Sequence, residues 1–193
     1  MESFGPGDTW FSNNKKSVGR FRVNSASDNI RLWTVEGSLP KSSATYPAGA
    51  LTINESFDEE GKGVRAYSDF SGKTVLKEVQ NGTSWLQTFY VYDDYDRLRF
   101  IVPPMVATTY APTQAQADLW YYQHEYDSEH RPTGSKSPGA GWTYTIYDRW
   151  DRPVLVQDAN QRAKSPAEWS FVKYDDWDRP IISGTLTSTS SRT

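Results

Sequence analysis

A six-residue pattern occurs four times between residues 92 and 179 of this chain: Tyr-Asp, three variable residues, then Arg. The first, second, fifth and sixth residues of the four copies are Tyr92, Asp93, Asp96, Arg97; Tyr126, Asp127, His130, Arg131; Tyr147, Asp148, Asp151, Arg152; and Tyr174, Asp175, Asp178, Arg179. Two weaker copies begin at Phe57 and Ser68 and carry Gly at the fifth position and Lys at the sixth. A repeated unit predicts a repetitive architecture, in which the repeats build structure.

The residue types of the hexad favour a tight β-turn. Asp at the second position suits the first residue of a type I turn, because its carboxylate can accept backbone N–H bonds. In a type I turn followed by a bulge, the fifth hexad residue must adopt a left-handed conformation. Gly61 and Gly72 do so freely, whereas Asp or His at this position costs roughly 1 kcal/mol. An Asp–Arg pair across the turn would set register and add little stability.

The segments that flank the hexads alternate in the manner of strands. Aromatic and β-branched residues recur at every second position in residues 87–92, 97–102, 143–147 and 170–174, which predicts half-buried strands. Asn81-Gly82 between two alternating runs predicts another hairpin. We therefore expect an all-β fold of antiparallel hairpin repeats in a curved, spiralling sheet, with one short helix near 113–122.

Composition divides the chain and excludes several classes of function. We expect a weakly ordered segment at 1–28, a β domain at 29–184 and a flexible, Ser/Thr-rich tail at 185–193. The charges are mixed, with a net charge of −3, so nothing favours nucleic-acid binding, and no apolar run is long enough to span a membrane. Cysteine is absent, which excludes disulfides and thiol chemistry. No signal peptide opens the chain.

In combination, these motifs resemble the Tyr-Asp (YD) repeats of RHS proteins, whose commoner hexad has Gly at the fifth position. The resemblance covers about residues 30–184. It includes the stretch from Tyr90 to Pro104, the run from Lys136 to Asp148 and the segment from Trp169 to Gly184. This chain differs in that Asp or His replaces Gly in all four strong hexads, and in that it lacks the family's self-cleaving core segment and any effector domain.

The resemblance implies a scaffold. Members of the family wind antiparallel strands into a hollow shell that encloses or presents a variable C-terminal effector, often a toxin. The chain is accordingly expected to be a non-enzymatic part of a shell wall of a secreted or cell-surface bacterial protein. Its expected partners are neighbouring repeats of a longer chain and an effector cargo, with weak self-association through edge strands. No cofactor, metal site or catalytic residue is expected.

The carboxylates and the histidines of the chain also suggest catalytic or metal-binding roles. The paired carboxylates of the hexads, such as Asp93 with Asp94, could serve a glycosidase or bind calcium, but turn capping accounts for them and no calcium-loop pattern is present. His124 and His130 could act as bases, yet no nucleophile elbow accompanies them, and with no cysteine a zinc site is improbable.

Aromatic residues at the turn tips suggest the main alternative function. Tyr95, Trp150 and Trp177 occupy the fourth position of three hexads, where exposed rings could stack on sugars. The competing interpretation is that these rings pack on the neighbouring repeat and cover its sheet. The alternative to a scaffold is therefore a carbohydrate-binding module that uses the rings at the hairpin tips.

Overall fold

A computed structural model describes residues 2–4 and 16–188, and they form two compact units, Met1–Thr113 and Gln114–Thr193. The strands of the first unit are β1 (Glu2–Phe4), β2 (Lys16–Val23), β3 (Arg31–Glu36), β4 (Leu39–Thr45), β5 (Thr52–Phe57), β6 (Gly63–Ser68), β7 (Thr74–Asn81), β8 (Ser84–Tyr92) and β9 (Leu98–Val102). Short 3-10 turns lie at Ala26–Asp28 and Pro104–Val106.

In the second unit the strands are β10 (Tyr122–Tyr126), β11 (Pro132–Lys136), β12 (Thr143–Tyr147), β13 (Pro153–Gln157), β14 (Ala167–Tyr174) and β15 (Pro180–Ser188). Two helices are described there, α1 (Gln114–Trp120) and α2 (Ala159–Ala163). Each strand from β10 to β15 lies beside its sequence neighbour, and all registered pairs are antiparallel. In the first unit the order is β1-β2-β5-β6-β7-β8-β9, with β3 and β4 paired separately.

The predicted all-β, antiparallel fold class is confirmed, as is a short helix near 113–122. The sequence analysis did not find α2, a single turn that Asp158 caps by accepting a hydrogen bond from the Gln161 N–H at 2.7 Å. Helical periodicity needs more residues than one turn supplies, which explains the omission. Within the described residues, no helix is long and apolar enough to cross a membrane.

The expected boundaries differ from those in the structure at both ends. β2 begins at Lys16, inside the segment expected to be weakly ordered, and it pairs with β5 over six residues. At the other end β15 continues to Ser188, because residues 185–188 pair with the start of β14. The rest of these segments, residues 1, 5–15 and 189–193, lies outside the described residues.

The core of the first unit includes a row of apolar side chains on one face of its sheet. Directly opposed residues of five adjacent strands form this row, and each is almost fully buried: Ile53, Tyr67, Leu76, Phe89 and Val102. The β3–β4 hairpin contributes Trp33, whose ring lies 5.7 Å from that of Phe89. Tyr110 lies edge-on to Trp33 at 6.2 Å. Apolar burial of this kind is the main source of stability in such a sheet.

A row of charged side chains lies beside the apolar row, two residues further along the strands. Arg22 and Arg65 contact the buried Glu55 at 3.2 and 3.1 Å. Glu78, also buried, accepts hydrogen bonds from the Tyr67 hydroxyl at 2.7 Å and from Gln87 at 2.9 Å. Burial and the bond to Glu78 raise the pKa of Tyr67. Both buried carboxylates are therefore paired, as buried charges must be.

The second unit buries less of its sheet. Trp169 is the one large apolar side chain of strands β10–β15 that is almost fully buried in the described part of the unit, and Tyr121, next to α1, is another buried ring. β15 is exposed along almost its whole length. The turns and the contacts between them therefore contribute a larger share of the stability of this unit.

Candidate functional site

The six hexads form six turns with the same hydrogen bonds. In the copy that begins at Tyr92, one carboxylate oxygen of Asp93 accepts the N–H groups of Tyr95 and Arg97, each at 3.0 Å. The other oxygen accepts a bond from the Arg97 side chain at 2.9 Å. Equivalent backbone bonds occur at Asp58, Asp69, Asp127, Asp148 and Asp175. The second-position Asp therefore organises its own turn.

The fifth residue of every hexad is left-handed, as the turn chemistry predicts. The φ angles are 78° and 79° at Gly61 and Gly72, and between 60° and 65° at Asp96, His130, Asp151 and Asp178. A register shift next to the first hexad residue accompanies the turn in five copies and is absent from the one at Phe57. Four non-glycine residues thus hold a conformation that favours glycine.

The second-position aspartates of the four strong hexads ionise more readily than usual. At Asp93, Asp127 and Asp148, burial opposes ionisation, but hydrogen bonds from the sixth-position Arg outweigh it and lower the pKa of each carboxyl. At Asp175 the bond from the Arg179 backbone is the main reason for the lowered pKa. These carboxylates are already engaged as acceptors, which disfavours a role for them as a general acid.

The structure reveals an inter-hexad contact, defined as the pairing of a sixth-position cation with the fifth-position Asp of the next hexad along the same edge. Arg131 Nη1 donates to Asp151 at 2.8 Å, and Arg152 Nη1 donates to Asp178 at 2.9 Å. Lys73 donates to Asp96 in the first unit. The two arginines also reach the carbonyl oxygens of Asp148 and Asp175, at 3.3 and 3.2 Å.

The first-position tyrosines complete each inter-hexad contact. The hydroxyl groups of Tyr92, Tyr147 and Tyr174 donate to the carbonyl oxygens of Thr74, Pro132 and Pro153, at 3.0, 2.9 and 3.1 Å. In each case the acceptor is the residue that follows the cation. The cation also lies over the tyrosine ring, 5.0 to 5.5 Å from its centre. Side chains from the first, fifth and sixth hexad positions therefore join one turn to the next at these three contacts.

The inter-hexad contact explains why Asp can replace Gly at the fifth position. Gly would relieve the backbone strain but would offer no acceptor to the cation of the preceding hexad. Sequence analysis missed this contact, because it assigned the sixth-position Arg only to its own turn. The available signal was the joint occurrence of an anion and a cation at adjacent positions in hexads two strands apart.

The aromatic residues at the turn tips are mostly exposed. Tyr95, Trp150 and Trp177 are 68%, 57% and 76% exposed. Arg side chains lie over these rings: Arg97 at 4.9 Å from the centre of Tyr95, Arg149 at 3.8 Å from Trp150, and Arg179 at 5.2 Å from Trp177. Packing on the neighbouring repeat and contact with a glycan both stay predictions for these rings.

The remaining candidates occupy separate places. His130 is the left-handed residue of its turn, and burial lowers the pKa of His124 in β10. No group of three or more potential metal ligands occurs within residues 2–4 and 16–188. A groove of about 530 Å³ lies along β14, lined by residues that include Leu155, Phe171 and Leu186. None of the three tip aromatics lines this groove.

Comparison with solved structures finds similar chains, among them one in the "Crystal Structure of TcdB2-TccC3-Cdc42" and one in the "Crystal Structure of TcdB2-TccC3-TEV". The TM-scores are 0.53 and 0.52, at 16% and 17% sequence identity, over 75% and 84% of this chain. The matched region spans 8% of the length of each of those chains. No protein-family model matches this chain, and a search of curated proteins gave no match. At this level of identity the likeness shows that the folds are similar.

Proposed function

We propose, on the premise of a YD-repeat fold, that this chain is a non-enzymatic structural segment of an RHS-type protein that is secreted or held at the surface of a bacterium. Its role is to build part of a β-shell, and the shell encloses or presents a C-terminal effector such as a toxin. The observation that carries the proposal is the recurrence of one inter-hexad contact at three places, Lys73–Asp96, Arg131–Asp151 and Arg152–Asp178.

A contact that repeats between successive turns suits a wall. Each hairpin alone is marginal in water, and stability comes from the neighbours on either side. The carboxylates at the second position, and the arginines at the sixth, form hydrogen bonds within their turns or to a neighbouring turn. These residues therefore serve architecture, which favours a scaffold over a hydrolase that would need a carboxylic acid and a carboxylate set apart.

The wall-building role predicts coupling between adjacent hexads. Arg152→Gln removes the cation that joins the turns at Asp148 and Asp178, and we expect hydrogen exchange at residues 175–179 to become about 3-fold faster. Arg149→Gln is the matched control, since Arg149 is exposed in the same turn and takes no part in the contact. Equal exchange at residues 175–179 in both variants would show that the turns do not support one another.

The shell role is tested on a parent polypeptide that carries an effector segment after these repeats. The effector should resist added protease while attached to the repeats and be digested once it is produced alone. If digestion is equally fast in both forms, the chain does not enclose a cargo. A screen with glycosidase and esterase substrates tests the non-enzymatic assignment, and turnover that disappears in Asp148→Asn or Asp175→Asn would contradict it.

Edge strands should also cause weak association between copies of the chain. Among the described strands, β15 lies at the edge of the sheet beside β14 alone, and an edge strand pairs readily with another. Sedimentation at increasing protein concentration should show a rising average mass. A strict monomer at high concentration would mean that the edges are blocked.

The exposed rings of Tyr95, Trp150 and Trp177 favour one second candidate, a carbohydrate-binding module. A glycan array should then show micromolar binding that Trp150→Ala and Trp177→Ala abolish. Phe70→Ala is the matched control, because Phe70 is 85% exposed at another turn and holds the third hexad position. Binding that is unaffected by both tryptophan substitutions would rule out this use of the tips.

A further inference from the structure

The inter-hexad contact has a direction along the second unit. The cation at Arg131 contacts the acid at Asp151, and the cation at Arg152 contacts the acid at Asp178. The hexad at Tyr147 therefore receives a cation from the preceding hexad and offers its own to the following one. The tyrosine hydroxyl follows the same order, since Tyr147 and Tyr174 donate to the preceding Pro132 and Pro153.

The series of inter-hexad contacts in the second unit ends at Arg179. Arg131 and Arg152 are 23% and 17% exposed at the side chain, whereas Arg179 is 69% exposed. In the described part of the chain, Arg179 contacts only the Asp175 carboxylate of its own turn and the ring of Trp177. No described tyrosine donates to the carbonyl of Pro180, which holds the position of Pro132 and Pro153. Within the described residues, the Arg179 guanidinium of the last hexad thus has no fifth-position carboxylate of a following hexad to donate to.

The strand beside Arg179 is equally without a neighbour on one side. Among the described strands, β15 pairs only with β14. Ile181 and Ile182 are 58% and 53% exposed, and Leu186 is 37% exposed. An unpaired strand with exposed branched aliphatic side chains is a template for one more strand.

We propose that β15 and Arg179 form a docking edge for a further Tyr-Asp hairpin that carries an acidic residue at the fifth, left-handed position of its turn. The first strand of that hairpin lies antiparallel to β15. Its tyrosine hydroxyl donates to the Pro180 carbonyl, and its fifth-position carboxylate accepts from Arg179. A hexad with Gly at the fifth position can extend the sheet here but leaves Arg179 without this acceptor.

A second copy of the chain that pairs through its own β15 does not complete the contact with Arg179. Antiparallel pairing of two β15 strands places the two Arg179 side chains at opposite ends, so neither meets the Asp178 of the other. The inference rests on the proposed function, because it names what continues the wall. It adds that the continuation is selected by charge at one turn position.

A titration of the isotope-labelled full chain with a cyclised hairpin peptide tests the proposal. The peptide copies residues 167–188, which include Tyr174 and Asp178. We expect the amides of residues 181–188 to shift, and the peptide with Asp178→Lys to bind about 5-fold or more weakly. The control peptide with Asp176→Lys carries the same charge change at the third position and should bind as the unchanged peptide does.

A charge swap completes the test. The chain with Arg179→Glu should prefer the Asp178→Lys peptide, whereas the chain with Arg149→Glu should keep the original preference. An amide spectrum of each variant verifies its fold, and the peptide variants test the same contact on the unaltered chain. Equal binding of all peptides would overturn the charge selection and leave the wall-building function standing. The absence of any shift at residues 181–188 would overturn the docking edge itself.

Discussion

The two units use the same turns but are held together differently. In the first unit, the β3–β4 hairpin covers the sheet and Trp33 contacts Phe89, which is 1% exposed. In the second unit no described hairpin covers the sheet, and the equivalent aromatic side chain on β14, Phe171, is only partly buried. The difference shows that a hexad specifies a turn and its neighbours without specifying how deeply the adjoining strands are buried.

The largest expected effect comes from removing matched phenylalanine side chains. Phe89→Ala should lower the free energy of unfolding of the first unit by about 3–5 kcal/mol, because it removes a fully buried ring. Phe171→Ala should lower that of the second unit by about 1–2 kcal/mol, since less apolar surface is lost. Denaturant-dependent hydrogen exchange measures each unit separately, and equal losses would contradict the comparison.

A smaller effect is expected from the buried charges, which the first unit alone pairs across several strands in the described structure. Glu78→Gln keeps the shape but removes the charge opposite Arg65, and it should cost about 1–3 kcal/mol. Glu168→Gln in the second unit, where the partner is the exposed Lys164, should change stability by less than about 0.5 kcal/mol. Thermal unfolding scans of both variants measure these costs. A comparable loss of stability in both would mean that the burial of Glu78 does not increase its contribution.

The inter-hexad contact should appear as coupling between two positions. Asp178→Gly relieves the left-handed strain but loses the bond to Arg152, so the two effects oppose each other in the otherwise unchanged chain. In an Arg152→Gln background only the relief remains, and Asp178→Gly should raise the melting temperature more there. A double-mutant cycle gives the coupling. If the effects of the two substitutions on stability are additive, the contact between Arg152 and Asp178 does not stabilise the protein.

The smallest effect per residue is the dependence of the turns on pH. The folded-state pKa of the four second-position aspartates is lowered, so their contribution is present above the ordinary carboxyl pKa of about 3.9 and is lost as the pH falls through the folded value. In the first unit, a bond from Arg22 lowers the pKa of Asp28 to about 2. Carboxyl carbon titration by NMR should therefore show that Asp28 is still ionised at pH 3. Protonation of Asp28 already at pH 4 would refute the lowered pKa.

The sequence by itself determined the turns. Each hydrogen bond that the carboxylate of Asp148 accepts within its turn comes from a residue no more than four positions away, so the hexad at Tyr147 contains all that its turn requires. The left-handed fifth residue follows from the same local chemistry. The alternation of the flanking segments then determined the strands, since a half-buried strand needs only a period of two.

Only the tertiary structure decided which turns meet. Hexads that begin at Phe57 and Ser68 lie at opposite ends of β6, whereas those at Tyr147 and Tyr174 are two strands apart and lie at the same edge. The pairing of Arg152 with Asp178 and the burial of Glu78 depend on the register of several strands, and so does the exposure of Trp177. Contacts between residues distant in sequence arise from strand order, and a local pattern cannot encode that order.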